Sequence, residues 1–116
     1  TYREKIKRTH SPEVAIPKEK FRLLQAVVGV STEAGELLDS AKKNVFQHRK
    51  LDKTNMKEEL GDLMHYISIL LNELDLKLED VLQTNIDKLN ERYADGYSAS
   101  ASSNRNPTKE RKILEK

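Results

Sequence analysis

The sequence predicts an all-α fold, with a helical hairpin packed against a third long helix to form a bundle. Three stretches repeat apolar residues every three or four positions, which is the period of one helix face. The first runs over about 18–45 through Val27, Val30, Ala34, Leu37, Ala41 and Val45. The second ends near Leu74 and carries Leu60, Leu63, Met64, Ile67, Leu70 and Leu71. The third covers 78–93 with Leu82, Ile86, Leu89 and Tyr93. A polar segment from Phe46 to Lys53 separates the first two and reads as the hairpin loop; Glu73-Leu74-Asp75-Leu76 reads as a short turn before the third.

The remaining elements follow in order. Residues 2–9 predict a short helix with Tyr2 and Ile6 inward, ended by His10-Ser11-Pro12 because a proline disfavours helical geometry in the residue before it. An extended linker then runs through Ile16-Pro17. Gly29 and Gly35 fall inside the first long helix, where each costs about 1 kcal/mol against alanine. Space beside an acidic pair and close helix packing account for them equally well. Asp52 or Thr54 offers an N-cap for the second long helix. Residues 106–116 read as a short terminal helix or a flexible tail, outside a domain spanning 1–105.

Composition bounds the function. A chain of 116 residues without internal repeats is one small domain, and with 36% hydrophobic and 34% charged residues its own core is modest. Association between copies would bury more. The absence of cysteine excludes a disulfide framework and fits a reducing cytoplasm, where the protein is expected. No apolar run approaches the ~20 residues needed to span a bilayer, and no signal peptide is apparent, so no membrane partner is expected. Basic residues gather at both ends (Arg3, Lys5, Lys7, Arg8; Arg105, Lys109, Arg111, Lys112), but the net charge is only +2 and 5% of residues are aromatic. Neither favours a nucleic-acid partner.

The chemistry concentrates between Val30 and Tyr66. Glu33 and Glu36 are three apart on the first long helix; Glu59 and Asp62 are three apart on the second. Residues three apart project from one side of a helix. Pairing the helices would gather four carboxylates at the edge of a core, and such a cluster repels itself unless protonated or neutralised by a cation. Oxygen ligands without thiols suit a hard ion, Mg²⁺ or else Mn²⁺. Lys43 lies further along the flank of Glu33 and Glu36, in place to meet a phosphate. On the third helix Asn85, Lys88 and Arg92 repeat a flank position beside the apolar face, with donors suited to phosphate oxygens. Asp62 and His65 have the spacing of a di-iron motif, but that chemistry wants Glu-x-x-His on two helices and the sequence has no second copy.

The ExxE of 33–36, the spacer of 37–58 and the ExxD of 59–62 together resemble the MazG-like, all-α nucleoside triphosphate pyrophosphohydrolases. Further likeness lies in Lys7-Arg8-Thr9, in Asn85-Ile86-Asp87-Lys88-Leu89, Arg92-Tyr93 and Asp95-Gly96-Tyr97-Ser98, and in Ser103-Asn104-Arg105. Ala94 and Tyr97 depart from that branch's usual proline and phenylalanine. The resemblance covers roughly 2–105. It implies hydrolysis of a nucleoside triphosphate to the monophosphate and pyrophosphate, in nucleotide-pool sanitation or dNTP control. It also implies Mg²⁺ held by Glu33, Glu36, Glu59 and Asp62, with Glu36 or Glu59 as general base. Lys43, Asn85, Lys88 and Arg92 would then contact substrate, and Arg105 would cover the site or reach a neighbouring protomer. Homodimers or homotetramers are implied, completing a four-helix layer around each site. Two alternatives stand beside this reading: a phosphoribosyl-ATP pyrophosphohydrolase-like enzyme, and a non-enzymatic helical module with solvated acids.

Overall fold

A computed structural model describes all residues from Thr1 to Lys116 as six helices without a strand. They are α1 (Tyr2–Lys7), α2 (Lys18–Gln47), α3 (Lys53–Glu73), α4 (Leu78–Arg92), α5 (Ala99–Ser103) and α6 (Pro107–Leu114). Local chemistry sets most of their ends. Thr1 and Glu4 form a reciprocal capping box at the start of α1. Asp52 caps α3 by accepting from the Asn55 amide at 3.0 Å, so Asp52 rather than Thr54 holds that position. His48 ends α2 in the left-handed conformation, at φ 54°. Asn44 braces the turn by donating to the Arg49 carbonyl at 2.8 Å.

The hairpin of α2 and α3 is the main packed unit. Gly29 is buried, and a Cβ built there would overlap the Tyr66 ring. Close packing therefore explains Gly29. At Gly35 an added Cβ would meet nothing within 4 Å, so no packing contact within the chain explains that glycine. Further along, Asn55 donates to the Ser40 hydroxyl at 3.2 Å and ties the helices near the loop. The Gly29→Ala variant is expected to melt lower by roughly 5 °C or more, since overpacking a tight contact costs about 1–3 kcal/mol. Circular dichroism melting measures it, and an unchanged midpoint would show that Tyr66 does not seat on this glycine.

The third long helix departs from the expected packing. Within one chain α4 packs on α6 and makes at most marginal contact with the hairpin. Its apolar face is left open, with Leu82 53% and Ile86 50% exposed. Val27, Val45, Leu60 and Met64, expected as core on the hairpin, are exposed as well. Only Ala26, Gly29 and Glu110 are fully buried. The chain is accordingly extended: its radius of gyration is 19.6 Å, against the ~13 Å of a compact domain of this length. Its accessible surface is 10071 Å², about 3,500 Å² above the ~6,500 Å² of a folded 13.4 kDa monomer. Over two copies that excess comes to about 7,000 Å², as much as or more than the ~2,000–5,000 Å² typical of obligate interfaces.

Candidate metal and phosphate site

The antiparallel hairpin sets the register of the acids. Gly29 on α2 meets Tyr66 on α3; one turn further along α2, and one turn back along α3, lie Glu33 and Asp62. Carboxylate oxygens of Glu33, Glu59 and Asp62 all fall within 4.8 Å of one another. Glu33 and Glu59 are half-buried and Asp62 is exposed. The cluster shows the expected self-repulsion. A hydrogen bond to Glu33 is the largest influence holding the Glu59 carboxyl above its ordinary value, followed by partial burial and the charges of Glu33 and Asp62. An arrangement that disfavours its own ionisation, built only of oxygen donors, fits a hard divalent cation.

Glu36, the fourth expected member, is exposed and does not join the other three. Three residues of helix turn through about 300°, so Glu36 sits roughly 60° round from Glu33. Lys43 forms an ion pair with Asp39 at 2.7 Å, and that hydrogen bond holds the Asp39 carboxyl below its ordinary value. Asp39 was not among the expected residues, although its i,i+4 spacing to Lys43 marks the pair. His65 packs edge-on against Tyr66 and adds nothing to the acids.

Asn85, Lys88, Arg92 and Arg105 form no hydrogen bond or ion pair with Glu33, Glu59 or Asp62 in this chain. Asn85 is exposed and Lys88 half-buried on α4. Arg92 and Arg105 instead converge on Glu110, which is 2% exposed. Arg92 donates through Nε to Oε1 at 2.7 Å and through Nη2 to Oε2 at 3.1 Å. Arg105 donates through Nε to Oε2 at 3.1 Å and through Nη2 to the same oxygen. The two guanidiniums, Arg92 foremost, hold the Glu110 carboxyl down at about 2 against the cost of burial. Arg92 also lies 5.7 Å from the Tyr93 ring centre, and Tyr93 stacks at a tilt on Tyr97, 5.5 Å between centres. A hydrogen bond with Ser102 is the largest influence lowering the Tyr93 phenol.

Glu110 is the residue that sequence reasoning missed. Between Lys109 and Arg111 it reads as solvated charge. A signal for its helix was nevertheless present, because Asn106 caps α6 and Pro107 takes its first turn.

An open cavity of about 330 Å³ lies on the side of the acids toward the start of α2, along the helix from Phe21 to Thr32. Phe21, Leu24, Val28 and Tyr66 give it apolar walls, with Gln25 and Thr32 adding polar groups.

Comparison with known proteins reaches the same stretch. The model of the MazG nucleotide pyrophosphohydrolase domain matches residues 22–96, well over half of the chain. This chain belongs to the MazG family. The matched MazG segment contains all four expected acids with Lys43, Asn85, Lys88 and Arg92, and it stops before Arg105 and Glu110. Gene 37 protein of Mycobacterium phage L5 is 32% identical over 87 residues, covering 72% of this chain and 76% of that protein. No solved structure shows a significant match. Like the matched domain, the molecule is entirely helical, and none of its helices is long and apolar enough to cross a membrane.

Proposed function

We propose that this MazG domain is a Mg²⁺-dependent nucleoside triphosphate pyrophosphohydrolase, releasing a nucleoside monophosphate and pyrophosphate. The observation that carries the reading is the convergence of Glu33, Glu59 and Asp62 oxygens within 4.8 Å inside the matched segment. These three would hold the cation, with Mn²⁺ as a substitute. When bound, the cation supplies charge that offsets the negative charge building on the phosphate oxygens.

The chain's own residues would do the rest. Glu36, outside the group of three, would accept the proton of a water attacking the α-phosphorus. The bond from that phosphorus to the bridging oxygen breaks as the new one forms, and pyrophosphate leaves. The cavity beside the acids supports a place for the base: Phe21 and Tyr66 offer ring faces, and the Gln25 amide can read a polar edge.

A second copy covering Leu82, Ile86 and Leu89 would bring the flank of Asn85, Lys88 and Arg92 against a neighbouring hairpin. We therefore assign these residues, with Lys43 and Arg105, to the substrate phosphates or sugar in an assembled dimer or tetramer.

Hydrolysis in ¹⁸O-water tests the chemistry. Label is expected in the monophosphate and none in pyrophosphate. Orthophosphate with a nucleoside diphosphate as products would overturn the assignment.

A further inference from the structure

The geometry points to Arg92 and Arg105 as a phosphate-binding pair that the chain keeps occupied with its own Glu110, with α6 as a strap that a phosphate-bearing ligand displaces. This rests on the reading of the two arginines as phosphate contacts and adds a means of regulating them.

The contact has the form of an anion site already filled. Arg92 presents a two-donor fork to both oxygens of one carboxylate, and Arg105 brings two more donors to Oε2. Planar forks of this kind suit phosphate as well as carboxylate. One carboxylate offsets only one of two guanidinium charges, so the cluster keeps a net positive charge. Arg105 is 48% exposed, which leaves an approach from solvent. Lys88, one turn before Arg92 and in no ion pair, adds a further cation on that flank.

The strap is held by charge far more than by apolar burial. Its one fully buried residue is Glu110; Ile113 is half-buried and Leu114 exposed. Its other tie to α4 is an ion pair between Lys109 and Glu91 at 3.0 Å. Helix α6 packs chiefly on α4 and has at most marginal contact with the hairpin, so its release is expected to leave the hairpin undisturbed. A phosphate group carries about −1.5 to −2 charge and three acceptor oxygens, against the single charge and two oxygens of Glu110. It therefore competes well for the same donors, and α6 is freed as it binds.

The experiment uses the full chain, inorganic pyrophosphate as probe and excess EDTA, so that neither metal nor turnover contributes. Amide hydrogen exchange in 107–114 is expected to quicken about tenfold or more with pyrophosphate, while 18–73 stays unchanged and sodium chloride at equal ionic strength has a smaller effect. Calorimetric titration should show Glu110→Gln binding pyrophosphate about tenfold more tightly, and Arg105→Ala more weakly. Exchange in 107–114 indifferent to pyrophosphate would overturn the strap. So would Glu110→Gln binding no tighter than the parent, which would make Glu110 a brace for the arginines. Should that variant fail to fold, the parent's exchange decides alone. Loss of the ¹⁸O result with these outcomes intact would remove the enzyme and leave the strap standing.

Discussion

Glu59→Gln is expected to lower turnover at least about a hundredfold while leaving the metal-free protein as stable as the parent, or more stable, near neutral pH. Loss of one group that stabilises transition-state charge typically costs that much rate. The stability half follows from the carboxyl's environment. Held above its ordinary 4.5 by Glu33, by partial burial and by Asp62, Glu59 binds its proton more tightly in the folded than in the unfolded chain. A raised folded pKa contributes stability that is full below the unfolded value and lost as pH rises through the folded one. The metal-free parent should therefore lose melting temperature as pH rises above about 4.5, and the glutamine variant should lose less. Glu110 has the opposite sign. Its folded value near 2 gives stability that is present above 4.5 and fades as pH falls toward 2. The two effects thus occupy separate pH windows. Mg²⁺ should raise the parent's melting temperature, because an ion that binds only the folded state stabilises it by mass action, and should help the variant much less. Scanning calorimetry with and without Mg²⁺ reads all of this. Solvated acids in a non-enzymatic module would leave the curves indifferent to millimolar Mg²⁺ and the variant's other properties unchanged.

Ile86→Asp, alone or with Leu82→Asp, should reduce the protein to a poorly folded or monomeric, inactive species. In an isolated chain both side chains stand half exposed, and a surface substitution there would shift stability by only a few tenths of a kcal/mol. Against a second copy the same change buries an unpaired carboxylate, which costs several kcal/mol. The two cases are far enough apart for one measurement to decide. Light scattering should give at least twice the 13.4 kDa chain mass for the parent at micromolar concentration, and close to the single mass for the variant. A parent that is monomeric and still turns over would sink the idea that a neighbouring copy covers α4.

Which parts of this were readable without coordinates depends on the range of the forces involved. Helix bounds came out within about two residues: 18–45 against Lys18–Gln47, and 78–93 against Leu78–Arg92. Periodicity, caps and proline act over a few residues, so they are written locally. The partnership of Glu33 with Glu59 and Asp62 was also legible. Two antiparallel helices joined by a short loop permit few registers, and the apolar stripes select among them.

Tertiary structure decided the rest. Which glycine is a packing contact depends on what faces it: Tyr66 at Gly29 and open space at Gly35. Whether Glu36 joins the acids depends on how α2 is turned about its axis against α3, which the ExxE spacing does not set. The Asn-Pro signal could start α6, but no local rule sends Glu110 inward to two arginines 18 and 5 residues away. An apolar stripe on α4 states that something must cover it without stating what. The sequence alone thus determined the helices, their apolar faces and three acids of one cluster. The fold decided which residues meet, because burial and charge pairing are settled between residues distant in the chain.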